Sequence, residues 1–345
     1  MKAFVLKKPG VVGWHDAPEP SLVPYGAILA PVAMTPCSSD VHTVYGGGSP
    51  KAPNLILGHE CVARILEVGD QVRDFSPGEI VAVPAITPDW RALAIQEGND
   101  RHAGKPFSGH QLGRTQPGVF AERFLIPDAD TTLAKIPPGV TLEQALMCVD
   151  TMTTGFTGAE YADIKAGDTV VVLGIGPIGL MAVQLARVLG AGKVILVGTR
   201  DSRLAIGREV GADVLVNSRN EDAVEAVKRL TDGVMADMVV ETSGSAAGGA
   251  QALELCKKSG RVALVGIYSE PVTVNLNKVV QWNMQIAGGK AEGEDVLDRL
   301  VPLMESGQIK TGPLLTHAFS LDDINEGVRT YKERIGNAIK VVIRP

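Results

Sequence analysis

Residues 169–190 read TVVVLGIGPIGLMAVQLARVLG, and this stretch decides the fold. Its apolar, β-branched start, Val170–Leu173, predicts a buried strand. Glycines in the spacing G-x-G-x-x-G follow, and apolar residues then recur at helical spacing. A strand, a glycine turn and a helix in this order favour a dinucleotide whose pyrophosphate lies at the helix N-terminus. The turn residues assigned to cofactor binding are Gly174, Gly176, Pro177, Ile178 and Gly179. The same glycines could also serve only to pack the helix on a sheet.

Beyond the glycine turn, strand patterns alternate with helical patterns. The predicted strands are Val170–Leu173, Val194–Val197, Val214–Val216, Met238–Glu241 and Val262–Val265. Such alternation predicts an α/β domain with a doubly wound parallel sheet, which we place at residues 151–295. Residues 169–186 are nearly uncharged over about the length of a membrane span. The glycines, the proline and the prompt return of a strand at Val194 argue against a membrane helix.

The first 150 residues show a different pattern, with short alternating strands separated by proline and glycine turns. This pattern predicts a partly closed β-structure. Thr141–Cys148 is predicted to be helical, with Thr141 as its cap and Gln144 placed three residues later. Asp150–Tyr161 is predicted to be a second helical piece. Two further helices and a strand at Ala338–Ile343 are expected near the C-terminus. We assign residues 296–345 to the first domain, because a sheet of the second kind is complete before them.

The composition narrows the class of protein. The 345 residues suffice for two domains with separate cores, and the net charge of −6 gives no basic footprint for nucleic acid. The N-terminus MKAFVLKKPG is interrupted by lysines and does not resemble a secretory signal. The four cysteines show no disulfide-like spacing, so a cytoplasmic chain with reduced thiols is expected.

The end of the second predicted strand indicates which dinucleotide binds. An NAD-preferring fold usually places an acidic residue there to bind the ribose 2′-hydroxyl. This chain instead has Gly198, Thr199 and Arg200, which suit a 2′-phosphate, and we predict NADP(H). The alternative is that Arg200 is solvated and Asp201 binds the ribose or caps a helix. Ser218, after the third predicted strand, could add a hydroxyl to the same phosphate. The remaining residues assigned to cofactor binding are Val265, Gly266, Tyr268 and Lys340.

A set of possible metal ligands is spread along the chain. Cys37, His59, Glu60 and Asp150 carry sulfur, nitrogen and oxygen donors that zinc accepts. Taken one at a time, a cysteine is usually a buried apolar residue and a histidine a hydrogen-bonded structural one. Spacing alone therefore leaves this cluster as one hypothesis among others.

At these residues the sequence resembles a known family. The segments that carry the resemblance are PCSSDVH at 36–42, GHE at 58–60, TPDWR at 87–91, DTMTTG at 150–155 and the GIGPIG turn. They resemble, along nearly the whole chain, the zinc-dependent medium-chain alcohol dehydrogenases, and within them the bacterial NADP-dependent secondary-alcohol branch. The resemblance implies a GroES-like catalytic domain, split in sequence around a Rossmann domain, and a homotetramer.

The resemblance also implies roles for individual residues. One catalytic zinc would be held by Cys37, His59 and Asp150, with Glu60 as an exchangeable fourth ligand, and would activate the hydroxyl of a secondary alcohol for hydride transfer. Ser39 would accept the substrate proton and pass it through the cofactor ribose towards His42. Asp40 could orient a neighbouring residue or serve as a solvated cap, and we favour the solvated cap. Cys148 competes with Asp150 as the third ligand, because most of the wider superfamily has cysteine at the position of Asp150. The second, structural zinc of many relatives is not expected, since no cysteine occurs between Cys61 and Cys148.

Two departures from the branch concern the substrate. His110 stands where the branch commonly has tryptophan, and Thr151 where it often has methionine. With Ala85 and Ile86 as pocket walls, these changes favour a roomier and less apolar pocket, unless His110 faces solvent. A diol or polyol dehydrogenase with the same metal site therefore stays open. A zinc-free quinone or enone reductase and a noncatalytic NADP-binding protein are the remaining alternatives.

Overall fold

A computed structural model describes residues 1–45, 54–87, 93–97, 110–290 and 295–345. The chain forms two compact units. The first comprises Met1–Asp150, Ala291–Glu305 and Leu315–Pro345, and the second comprises Thr151–Lys290 and Ser306–Leu314. The predicted boundary kept 296–345 together, whereas the structure groups 306–314 with the second unit. The reason is local: the Gln184 side chain donates to the Lys310 carbonyl at 3.1 Å and accepts from its N–H at 2.6 Å.

The strands are numbered in chain order: β1 Lys2–Lys8, β2 Val11–Asp16, β3 Ala27–Thr35, β4 Leu55–Ile56, β5 Glu60–Val68, β6 Ile80–Val83, β7 Ile86–Thr87, β8 His110–Gln111, β9 Phe124–Ile126, β10 Ala134–Lys135, β11 Thr169–Leu173, β12 Lys193–Gly198, β13 Val214–Asn217, β14 Ala236–Glu241, β15 Cys256–Leu264, β16 Gln285–Gly288, β17 Leu315–Ser320 and β18 Lys340–Arg344. The helices are α1 Ser38–Tyr45, α2 Leu93–Gln96, α3 Ala129–Thr132, α4 Leu142–Met147, α5 Thr153–Tyr161, α6 Pro177–Val188, α7 Asp201–Glu209, α8 Ala223–Leu230, α9 Ala246–Leu255, α10 Leu276–Gln281, α11 Asp295–Glu305 and α12 Ile324–Glu333. No helix in these described ranges is long and apolar enough to cross a membrane.

The first unit is built around a mainly antiparallel sheet with the strand order β10-β6-β5-β3-β18-β17, in which β9 also pairs with β3. The C-terminal strand β18 lies beside β3, so the last residues of the chain complete a sheet begun near its start. Strands β2, β1 and β4 form a smaller sheet. Phe4, Phe120 and Phe124 are among the largest fully or almost fully buried side chains of the core between these elements.

The second unit holds a six-stranded parallel sheet in the order β13-β12-β11-β14-β15-β16. The five predicted strands are present, because continuous apolar runs buried on both faces are easy to recognise. The sixth strand, β16, was missed. Its sequence Gln-Ile-Ala-Gly is short, lacks a β-branched run and is half to fully exposed at the edge of the sheet, so periodicity gave no signal.

The segment before the second unit carries two helical features. Thr141 caps α4 and forms a capping box with Gln144, which confirms the predicted cap. A π-helical turn, Cys148–Met152, then joins α4 to α5 and contains Asp150. Such single π turns occur often at functional sites. The sequence predicted helix here but not the wider turn.

Gly58, between β4 and β5, is required by the core. Its φ of +90° lies in the left-handed region, and a Cβ atom there would come within 2.3 Å of the Phe120 ring. Gly78 has a similar φ of +94°, yet a Cβ atom there would meet nothing within 4 Å.

We expect Gly58→Ala to destabilise the first unit much more than Gly78→Ala. The second change costs only backbone strain, on the order of 1 kcal/mol, while the first adds displacement of a buried ring, for a total above about 3 kcal/mol. Urea unfolding of both variants measures the difference. Equal losses would show that the ring moves aside freely.

Candidate functional site

Four potential metal ligands meet in the first unit. Cys37, His59, Glu60 and Asp150 each offer one ligand atom, and these atoms all lie within 4.8 Å of one another. Cys37 precedes α1, His59 and Glu60 stand at the start of β5, and Asp150 lies in the π-helical turn. The fold therefore brings together residues from three distant segments, including Cys37 and Asp150, whose side chains are 3.5 Å apart.

Asp40 organises this cluster, and its interpretation as a solvated cap was wrong. Its side chain is buried and accepts hydrogen bonds from the Cys37 N–H at 2.9 Å and the Gly58 N–H at 3.3 Å. It also lies 3.2 Å from Nδ1 of His59. Because an ionised carboxylate can only accept, Nδ1 of His59 must donate, which leaves Nε2 facing the other ligands.

The donor set suits a divalent cation. Nε2 of His59 lies 3.6 Å from Asp150 Oδ2 and 3.2 Å from the Ser39 hydroxyl. Burial lowers the pKa of His59, but the charge of Asp40 and hydrogen bonds with Asp150 and Asp40 outweigh it and hold this pKa well above its usual value. Burial and the neighbouring Asp150 raise the pKa of the Cys37 thiol. In the protein alone these groups thus retain protons that a divalent cation would displace, and sulfur, nitrogen and oxygen at this spacing fit zinc.

Glu60 has a second partner. The Lys340 ammonium lies 2.6 Å from both carboxylate oxygens of Glu60, and both side chains are almost completely buried. Burial raises the pKa of Glu60 to about 7, although the ammonium opposes this. Burial lowers the pKa of Lys340, but Glu60 and the acidic groups around it together outweigh this effect and raise the pKa of the ammonium. Lys340 was assigned to cofactor binding; in the structure its charge is engaged by Glu60.

Cys148, the competing candidate ligand, lies outside the cluster. It is 1% exposed at the end of α4, and burial raises the pKa of its thiol to about 12. A neutral thiol packed among apolar residues behaves as a small hydrophobic side chain. Cys61, interpreted as a core residue, is likewise fully buried, in β5.

The remaining residues predicted around the substrate lie on several different elements of the fold. Ser39 and His42 both lie on α1, three residues apart and therefore on neighbouring positions of one helix face. Ala85 and Ile86 are buried, and the Ala85 N–H donates to the carbonyl of Val149, next to Asp150. Thr151 is 2% exposed, in the π-helical turn. His110 lies in β8, and its backbone pairs with Thr87 of β7, but its side chain lies outside the described part of the structure.

In the second unit the glycine turn has the shape that a pyrophosphate requires. Gly174 has a φ of +115°, and a Cβ atom on Gly179 would come within 2.0 Å of the Gly174 carbonyl. Gly176 caps α6 and faces open space, with nothing within 4 Å of an added Cβ atom. Backbone N–H groups of the first turn of α6 are thus approachable by an anion. Pro177 occupies the first helical position, as predicted.

Two loops at the same carboxyl edge of the sheet are tied together by a carboxylate that the sequence did not indicate. Glu241 at the end of β14 is fully buried and accepts from the Ser243 N–H at 2.7 Å and the Tyr268 hydroxyl at 2.6 Å. Val265 and Gly266 follow β15, and both donate their N–H groups to the Glu241 carbonyl. A single carboxylate after an apolar strand gives no spacing signal, which is why Glu241 was not predicted.

The end of β12 presents the residues predicted to discriminate between dinucleotides. Gly198 ends the strand, and a Cβ atom there would clash with Ile175. Thr199 is exposed, and Arg200 occupies the N-cap position of α7 without a capping side-chain bond. Asp201, the alternative ribose ligand, accepts a hydrogen bond from the Asn217 amide at 2.7 Å.

A β-rich unit with a partly buried sulfur, nitrogen and oxygen donor set, together with a parallel sheet carrying a dinucleotide turn, defines a metal-dependent dinucleotide dehydrogenase. Residues 24–138 match the alcohol dehydrogenase GroES-like domain, and residues 177–306 match the zinc-binding dehydrogenase domain. The chain belongs to the zinc-binding alcohol dehydrogenase family. This membership confirms the resemblance and the predicted fold class, a GroES-like domain plus a Rossmann domain.

Similar proteins match along their whole length. The NADP-dependent isopropanol dehydrogenase of Thermoanaerobacter brockii is 39% identical over 99% of both chains. That of Clostridium beijerinckii is 36% identical, again over 99% of both. Among solved structures, the alcohol dehydrogenase TADH from Thermus sp. ATN1 superposes with a TM-score of 0.91 at 27% identity, covering 100% of this chain and 99% of its own.

Replacing Asp40 by Asn should weaken metal binding by roughly 10- to 100-fold, since partners of metal-bound histidines contribute about this much. The amide offers the same shape but can no longer accept from three donors at once. Zinc affinity measured by chelator competition tests this. Asp70→Asn, at an exposed turn, is the control and should bind zinc as the wild type does; an unchanged D40N affinity would contradict the positioning role.

Replacing Lys340 by Met should cost about 3–5 kcal/mol, because it leaves a buried carboxylate without its partner. Lys2→Met is the matched control, since it removes an exposed lysine that pairs with Asp16 at 2.8 Å and should barely change stability. Chemical unfolding of the two variants gives the comparison. A loss no larger for K340M than for K2M would mean that the buried pair contributes nothing.

Proposed function

We propose that the protein is a zinc-dependent oxidoreductase that interconverts secondary alcohols and ketones by hydride transfer with NADP(H). The observation that carries this proposal is the convergence of Cys37, His59 and Asp150 on one partly buried point, with His59 oriented by Asp40. Three protein ligands and an exchangeable fourth position are typical of catalytic rather than structural zinc sites. A zinc-free reductase would have no need of this donor set.

Each residue of the site has a role in the proposed reaction. Cys37, His59 and Asp150 would hold the zinc, and Glu60 would be the exchangeable fourth ligand. Bound zinc would act as a Lewis acid on the substrate oxygen. Ser39 would take up the substrate proton, and its hydroxyl already lies within hydrogen-bond distance of His59. His42, farther along α1, would pass the proton to solvent.

NADP(H) is the proposed carrier. The open face of Gly176 and the first turn of α6 would receive the pyrophosphate. Thr199 and Arg200 would contact the 2′-phosphate, because the Asp201 carboxylate is already bound by Asn217. The names of the isopropanol dehydrogenases from T. brockii and C. beijerinckii agree with this cofactor and with a secondary alcohol as substrate.

The proposed assembly and location of the protein rest on its resemblance to the family. We propose a cytoplasmic homotetramer. The outer edge of β16 supports self-association, because this strand ends the sheet in the described part of the chain and exposes Ile286. Unpaired backbone groups of an edge strand are available to pair with another chain.

Replacing Asp150 by Ala should remove zinc and abolish alcohol oxidation while leaving NADPH binding nearly intact, since the ligand and the glycine turn belong to different units. Cys148→Ala is the matched control, because Cys148 is the alternative third ligand only two residues away; it should keep about one zinc per chain. Metal analysis, NADPH fluorescence titration and turnover on a panel of secondary alcohols, ketones and diols are measured together. Full activity of D150A, or loss of zinc from C148A alone, would refute the ligand assignment. Turnover with diols alone would show that the substrate is a diol and not a monoalcohol.

A further inference from the structure

We propose that Arg219 is a second arginine for the 2′-phosphate of NADP(H), and that Asn217 positions it opposite Arg200. This inference rests on the proposed use of NADP(H). It assigns cofactor discrimination to two neighbouring strand ends, β12 and β13, rather than to β12 alone.

The register of the sheet brings the two arginines to the same edge. In the parallel pair β12–β13, Gly198 is the partner of Asn217, and the Ser218 N–H donates to the Gly198 carbonyl at 2.8 Å. Neighbouring strands are about 4.8 Å apart. Arg200 and Arg219 each follow the paired residue by two positions, so they leave the carboxyl edge of the sheet side by side. Parallel α/β sheets bind their ligands at this edge.

Both guanidinium groups are available. The structure describes every arginine of the second unit, and within the described residues Arg200 and Arg219 alone show no side-chain hydrogen bond or ion pair. Arg187, Arg208, Arg229 and Arg261 contact acidic side chains or carbonyls, and Arg203 also has an interaction within the protein. Two adjacent cations without a protein counter-ion favour a dianionic ligand between them.

The hydroxyl of Ser218, which was predicted to bind the same phosphate, is already used. It donates to the Gly198 carbonyl at 3.2 Å. A hydroxyl has a single proton, so Ser218 cannot donate to a phosphate without giving up this bond. The next residue, Arg219, is exposed and offers five N–H donors, so it is the better candidate for the contact.

Asn217 connects the two strand ends. Its side-chain NH2 group donates to Asp201 Oδ1 at 2.7 Å, and its side-chain oxygen Oδ1 accepts from the Arg219 N–H at 3.0 Å. The first bond holds the carboxylate of Asp201, the residue directly after Arg200, and the second fixes the backbone of Arg219. One side chain therefore both restrains the group that would repel a phosphate and holds the backbone that carries the group that would attract it.

The test compares Arg219→Ala, Arg200→Ala and the control Arg208→Ala, which removes an exposed arginine from the far end of α7. Kd values for NADPH and NADH are measured by fluorescence titration, and those for 2′,5′-ADP, which carries the 2′-phosphate without nicotinamide, by calorimetry. We expect R219A and R200A each to weaken NADPH and 2′,5′-ADP by roughly tenfold or more, the usual effect of losing a charge-assisted hydrogen bond. NADH affinity should change less than about twofold, and R208A should resemble the wild type.

Asn217→Ala tests the positioning role. It should weaken NADPH several-fold without weakening NADH, so the ratio of the two affinities falls, whereas mere structural damage would lower both alike. Thermal unfolding of the variant in the absence of cofactor checks that the unit is intact.

The possible failures are distinguishable. If the wild type binds NADPH more tightly than NADH, R200A loses this preference and R219A does not, the role of Arg219 is refuted and the proposed function stands. If the wild type prefers NADH, the proposed cofactor is refuted together with this inference.

Discussion

The hydrogen bonds accepted by the buried Asp40 carboxylate are the interaction on which the metal centre depends. Asp40 binds the backbone of Cys37 on one side and the backbone of Gly58 and the ring of His59 on the other. Two ligands that are 22 positions apart are thereby held by one side chain. A charged group that makes three hydrogen bonds offsets the cost of its burial, and the same bonds determine which nitrogen of His59 faces the site.

A second constraint comes from the end of the chain. Lys340, in the C-terminal strand, neutralises Glu60, and the parallel and antiparallel neighbours of β18 keep that strand in place. A buried carboxylate near Asp150 would otherwise add an uncompensated negative charge to the site. The pair therefore links the strand order of the first unit to the electrostatics of its site, although its net contribution to stability is smaller than its short distances suggest.

In the second unit, the glycine turn leaves the backbone N–H groups at the start of α6 uncovered. Gly179 lets α6 approach its preceding turn, while Gly176 keeps the helix N-terminus open. Glu241 then ties the loops after β14 and β15 by accepting from Ser243 and Tyr268. Small residues thus create the space for an anion, and a buried carboxylate stiffens the surrounding loops.

The sequence by itself determined the elements whose signal is local. The buried strands, the glycine turn and the Thr141 cap are written in patterns of a few residues, and the resemblance to a family singled out Cys37, His59, Glu60 and Asp150. Only the tertiary structure decided which polar side chains lie between those patterns. Glu241 and Asn217 gave no signal, and the role of Asp40 was misjudged, because their partners are backbone groups and side chains brought close by packing. The edge strand β16 was missed for the related reason that pairing with β15, rather than burial of apolar residues, makes it a strand. Apolar periodicity, glycine spacing and capping residues can be recognised within a few positions of the chain. The burial and pairing of a polar group depend instead on every element packed around it.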